Sequence, residues 1–338
     1  MSSSDAYRGL GWKYGALVVQ RRAAMLAPLT FLLPNGRQVN PLHVAPWSEE
    51  PIAAELPGIL QRLRGEWPCV PFGYSVIDPT ASAEWARLNG PSESDEEVHG
   101  HGSNHPWNWE EGGGASLELF IDYPANSPVK RLVRTITPDS DAPAVDIELR
   151  IEIRDSCRLP LGLHPTFHLP TEAGAAHIQP AAFAEGRTYP GTVEPSAPLF
   201  AIDHAFSSLK AVPSRDGGSV DASRLPFAND TEELLQLNGI DGSVALANEA
   251  EGYRVRLTWQ KEHFPSLLLW ISNRGRKEAP WSGRHLALGM EPICSPFGLG
   301  PAIARADNPM AKGGTPTARD FAAGEIFTTR YRIEAEEL

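Results

Sequence analysis

The chain has 338 residues, 41% of them hydrophobic and 21% charged, the balance of an ordinary globular protein with a substantial core. A formal charge of −12 argues against nucleic acid or an anionic membrane as partner, because phosphates demand clustered Lys and Arg. Gly 30 and Pro 31 imply many turns and few long helices.

The N-terminus, MSSSDAYRGLGWKYG, lacks the charged head and apolar core of a signal peptide. The apolar stretch Ala16–Leu33 is interrupted by Arg21, Arg22 and Pro28, so it does not read as a membrane span. Glu49–Leu63 carries apolar residues at roughly helical spacing, but Pro57 and Gly58 divide it into short pieces. Gly112–Gly114 reads as a loop, and Ser116–Tyr123 and Lys130–Ile136 as strands. Val145, Ile147, Leu149, Ile151 and Ile153 then alternate with Asp146, Glu148, Arg150, Glu152 and Arg154, which predicts an antiparallel strand with one wet face. Ser214–Ser223 reads as another loop, and Asp230–Leu237 as one short helix capped by its leading acid. Tyr253, Val255, Leu257 and Trp259 resume the two-residue period, Leu267–Ile271 and His285–Met290 read as strands, and Phe327, Thr329, Tyr331 and Ile333 close the series.

With neither repeat nor linker, the pattern predicts one all-β domain over residues 1–338, a large antiparallel β-sandwich. Cys69, Cys157 and Cys294 are odd in number, far apart and without CxxC spacing, so a reducing cytoplasm is expected.

Three segments carry groups capable of chemistry. His99–Trp109, HGHGSNHPWNW, packs three histidines and two tryptophans into a Gly-rich stretch. Indole faces suit the C–H face of a pyranose and imidazoles suit its hydroxyls, while a His-x-His pair also raises metal binding. A cupin-type metal site would want a Glu nearer than Glu110 and Glu111. In LGLHPTFHL, Leu161–Leu169, His164 precedes Pro165, which holds it extended and rigid enough to aim a general acid. In HLALGMEPIC, His285–Cys294, an apolar strand delivers Glu291. Burial of that strand on both faces would make Glu291 a desolvated carboxylate suited to general-base work; otherwise it is a surface Glu at a strand end.

In this order the segments resemble the aldose 1-epimerase (galactose mutarotase-like) family over roughly residues 60–300. LRGEWPCVPFG at Leu63–Gly73 looks like that family's early Pro-Phe-Gly segment, HGHGSNHPW like its His-Gly…Trp motif, LHPTFHL like its His-Pro-Tyr-Phe motif, and FPSLLLW…LGMEPI like its Pro…Trp then Glu-Pro segment. The resemblance implies a β-supersandwich and interconversion of the α and β anomers of a free aldose, with no cofactor and no metal. It implies that Glu291 takes the C1-hydroxyl proton and that His164 protonates the ring oxygen. A second His orients the sugar, and spacing to Trp107 favours His99, with His101 competing because it too precedes a glycine. Phe167, the Phe of the His-Pro-x-Phe motif, and Trp107 would contact the sugar. Asp230 falls where the family grips sugar hydroxyls, with Asp203 and Asp241 as alternatives, and the family's early Arg would fall at Arg62 or Arg64.

Two departures stand out: Thr166 replaces the family Tyr, and the first motif has an extra His-Gly. A monomer or homodimer acting on a small sugar is expected. The alternative is a non-catalytic sugar-binding or sensor protein on the same fold, since fold does not dictate activity. A hydrolase would require two carboxylates across the bond, and a metal-dependent isomerase would use His99, His101 and His105 as ligands.

Overall fold

The computed structural model describes residues 6–51, 56–75, 81–88, 97–111 and 114–338. Within them, two large antiparallel sheets dominate. The nine-stranded sheet runs in the order Arg224–Leu225, Ala176–Pro180, Ser243–Asn248, Tyr253–Trp259, Ile326–Glu337, Ala144–Ile153, Val129–Pro138, Leu117–Asp122 and Asn108–Trp109. The eight-stranded sheet runs Ala205–Phe206, Glu185–Thr188, Thr231–Asn238, Ser266–Asn273, Leu286–Cys294, Leu161–Leu163 and Pro68–Cys69, with Thr166–His168 also paired to Leu286–Cys294. The two sheets share one apolar core, to which Ile147, Leu149 and Ile333 contribute from the first and Leu267, Leu269 and Leu288 from the second. This is the predicted all-β sandwich.

The alternating segment around Val145 forms Ala144–Ile153, with Ile147, Leu149, Ile151 and Ile153 buried and Asp146 and Arg150 exposed. Ala16–Leu33 folds into the strands Gly15–Gln20 and Leu26–Leu32 of a separate four-stranded sheet, whose Leu17, Val19, Leu29 and Phe31 join the same core. No helix among the described residues is long and apolar enough to cross a membrane.

The Asp230–Leu237 expectation requires correction: Thr231–Asn238 is a strand, in register with Ser266–Asn273 from Thr231↔Asn273 to Asn238↔Ser266. Its Glu, Leu and Gln favour helix in isolation, but both faces of the segment are covered, and tertiary pairing overrides propensity. Within Glu49–Leu63 the helical spacing yields one turn, Gly58–Gln61, while residues 52–55 lie outside the described set. Ser214–Ser223 contains the short strand Ser219–Val220, paired with Val212–Pro213. Of the predicted Gly112–Gly114 loop, only Gly114 lies within the described residues.

The second face of the eight-stranded sheet positions the site. Leu267, Leu269 and Ile271 point into the sandwich, whereas Leu268 and Trp270 point the other way, into a second apolar cluster with Ile59, Leu63, Trp67, Phe72, Trp281 and Phe297. Every residue of Ser266–Asn273 and of Leu286–Cys294 is therefore buried.

Candidate active site

Strand register sets the floor of this second face. Leu268 pairs with Glu291, and Trp270 with Gly289, which is also opposite Thr166. Side chains two residues apart share a face, so Gly289, Glu291 and Ile293 look out together. A cavity of about 300 Å³ opens above them, walled by Trp67, Phe72, Tyr74, Trp270 and Trp281 and containing His99, His164, Arg276 and Glu291. A larger hollow of about 600 Å³, around Asp146, Glu148, Arg330 and Arg332 on the nine-stranded sheet, holds none of the candidate residues.

His164 and Glu291 meet in the smaller cavity. His164 Nε2 lies 3.5 Å from Glu291 Oε1, and both residues are buried. The His164 ring stacks on Trp67 at 4.1 Å with 17° between planes, and its Nδ1 is 3.4 Å from Thr166 Oγ1. Burial pushes the Glu291 carboxyl well above the usual carboxylate range. Burial, followed by the nearby His99 imidazole, holds His164 well below the usual imidazole range. Both shifts favour the uncharged form of each group, a proton on the Glu291 carboxyl and a neutral His164 ring.

Gly289 makes room for that carboxylate. A Cβ built there would overlap Glu291 Oε1 and stand 3.0 Å from Trp270 Cβ. His99, at φ 59°, meets His164 edge-on at 5.1 Å, and Gly73 N–H donates to its Nδ1 at 3.1 Å. That bond leaves Nε2 as the protonated nitrogen of the neutral ring, a hydrogen-bond donor.

Of the residues expected from sequence, His99, His164 and Glu291 line the cavity and the others do not. His101 sits on the helical turn His101–Asn104, stacked on His105 at 4.0 Å and 3.2 Å from Glu97. Trp107 is wholly buried in the sandwich core, its Nε1–H donating to Gly102 O, so it offers no face to a ligand. Phe167 is core for the same reason. Asp230 faces solvent and pairs with Lys277 at 2.5 Å, because the segment it leads is a strand aimed elsewhere. Asp203 accepts from Ser82 Oγ, and Asp241 pairs with Lys261. Arg62 and Arg64 both pair with Glu49.

The arginine that does line the cavity is Arg276, which sequence reasoning missed. Its guanidinium lies 4.6 Å over the Trp281 ring, with Nε 3.5 Å from the buried Glu232. Glu232 in turn accepts from Trp270 Nε1–H at 2.7 Å and from Ser272 Oγ–H at 3.0 Å, which fixes the Trp270 wall. The run FPSLLLW pointed to Trp270, and alternation from Leu268 would have assigned its face. Arg276 and Trp281 lie between strands, where no periodicity marks them.

Solved structures share this architecture. A candidate aldose 1-epimerase from Escherichia coli K12 is 15% identical, with 98% of this chain and 99% of that chain aligned at a TM-score of 0.64. An aldose epimerase homologue from C. elegans is 14% identical, over 98% of this chain and 99% of that one, at 0.61. A galactose mutarotase related enzyme from Lactobacillus acidophilus is 11% identical, over 98% and 97%, at 0.60. No protein-family model matches the chain, and no curated protein sequence does. At such identities the likeness is one of fold: the chain has the galactose mutarotase-like fold.

Proposed function

We infer that the protein is an aldose 1-epimerase, interconverting the α and β anomers of a small free sugar in the cavity around Glu291. The observation that carries the reading is the buried contact between His164 Nε2 and Glu291 Oε1 at 3.5 Å, inside a sugar-sized, aromatic-walled cavity. Moving the shared proton from Glu291 to His164 creates a carboxylate and an imidazolium without changing net charge. Glu291 then takes the proton of the C1 hydroxyl while His164 protonates the ring oxygen. The C1–O5 bond opens, C1 rotates, and reversal of the two transfers closes the other anomer. Trp67, stacked on His164, favours the transient imidazolium through its ring face.

Among the described residues, Glu291 is the one carboxylate lining the cavity. That supports proton shuttling within a Glu–His pair over glycoside hydrolysis, which uses two carboxylates. His99, with its Nε2–H, would hold a sugar hydroxyl, and Trp270 or Trp281 would cover an apolar ring face. The three cysteines are unpaired, consistent with a cytoplasmic setting.

Polarimetry on freshly dissolved aldoses and aldose 6-phosphates tests this directly. At least one sugar should approach its equilibrium rotation faster in proportion to protein concentration. Saturable binding with an unchanged approach to equilibrium would instead identify a sugar-binding or sensor protein.

A further inference from the structure

The family resemblance implies no metal, and the second and third histidines of HGHGSNHPW, His101 and His105, do not line the cavity. We propose that Glu97, His101 and His105 form a binding site for a divalent transition ion of the zinc class, separate from the Glu291 cavity. Their ligating atoms lie within 4.8 Å of one another. His101 Nδ1 approaches Glu97 Oε2 at 3.2 Å, and His105 Nε2 approaches Glu97 Oε1 at 2.7 Å. The two imidazoles are stacked at 4.0 Å with 25° between planes, so both nitrogens turn to the same carboxylate. Tetrahedral coordination at bonds of about 2.0–2.2 Å puts ligand atoms roughly 3.4 Å apart, a small adjustment from this arrangement. Two imidazoles with one carboxylate select zinc, cobalt or nickel over magnesium and calcium, which prefer oxygen. The partial exposure of Glu97 and His105 leaves a side for a water ligand.

The scaffold is already braced. Asn104 Nδ2 donates to Val98 O and Gly100 O, Ser103 Oγ–H donates to His99 O, and Asn104 Oδ1 accepts from Ile59 N–H. Tyr123, anchored by its hydroxyl to Val70 O, meets the His101 ring edge-on at 5.2 Å. Preorganisation of this kind reduces what a ligand must order on binding. A four-residue helical turn without a side-chain cap has little stability of its own, so a cross-link from Glu97 would strengthen it. The ion would also staple the chain on both sides of His99, which enters the cavity from the same loop. This site does not depend on the epimerase reading.

The test uses the full chain, stripped with EDTA and desalted, then titrated with Zn²⁺ by calorimetry and by competition with a chromophoric chelator. One equivalent should bind, and the H101Q/H105Q double variant should bind it at least about a hundredfold more weakly. Saturating Zn²⁺ should raise the Tm of the wild type by several degrees and leave that of the double variant unchanged. E97Q, a partly exposed substitution that leaves both imidazoles in place, provides a second variant and should weaken binding about tenfold or more. Less than one equivalent in the wild type, or wild-type affinity in the double variant, overturns the proposal.

Discussion

Gly289→Ala tests the proposed mechanism without touching a titratable group. The added methyl would overlap Glu291 Oε1 and sit 3.0 Å from Trp270 Cβ. Neither neighbour can give way freely: Trp270 is tied to Glu232 through its indole N–H, and Glu291 lies in a strand buried on both faces. With ordinary C···O contacts starting at about 3.3 Å, the carboxylate must retreat by on the order of 1 Å. A displacement of that size at the reacting atoms costs about a hundredfold in rate. The overpacking itself costs about 1–3 kcal/mol of stability, which a Tm measurement reports separately. The expected result is a folded protein whose kcat for mutarotation, read by polarimetry, falls about a hundredfold with a smaller change in KM. A folded Gly289→Ala variant with wild-type kcat would refute the placement of Glu291 at the reacting centre.

Glu291→Gln should lower mutarotation by about 10²–10⁴-fold while sugar affinity, measured by calorimetry, stays within about tenfold, because the amide keeps shape but accepts no proton. His164→Asn should cost a similar factor; retained specific activity with a lower Tm would make His164 a core residue instead. The rate should also depend on the pair's single proton. Because His164 is depressed and Glu291 raised, kcat/KM should hold steady as pH falls through about 6.5, the ordinary imidazole value, dropping only when a second proton binds, and should decline at high pH as Glu291 loses its proton. An acid limb at or above 6.5 would contradict this. Asp230→Asn should leave turnover unchanged, since that carboxylate pairs with Lys277 in solvent.

Strands with one wet face are legible by alternation, and the doubly covered Ser266–Asn273 and Leu286–Cys294 by their apolar runs. Ala144–Ile153 and Tyr253–Trp259 could be read because solvent imposes a period of two on them. Thr231–Asn238 could not: packed on both sides, its sequence alternates between nothing and reads as a good helix former. The missed Arg276 and Trp281 lie between strands, where no period applies. Trp107 looked like a sugar platform from its company of histidines, yet the chain turns at His99 and Gly100, both at positive φ, and carries Trp107 into the sandwich core. Sequence proximity to His99 therefore misled for Trp107, whereas Trp270 reaches the cavity from far along the chain.

For Glu291 the sequence left a buried base and a surface strand end open, and the structure buries it. A central strand covered on one side by the sandwich and on the other by the Trp-rich cluster has no use for a carboxylate as structure, because an ionised group there costs several kcal/mol unless paired. Among the described residues Glu291 has no arginine or lysine partner; its ion-pairing contact is His164, whose neutral form the same burial favours. Compare Glu66, equally buried, which is matched by Arg134 and by the Tyr331 hydroxyl and so serves packing. Two groups whose charged forms are both disfavoured by one environment meet at 3.5 Å inside a cavity, the arrangement that a proton exchange between them would need. In a galactose mutarotase-like fold, this difference between a compensated and an uncompensated glutamate separates a structural acid from a candidate catalyst.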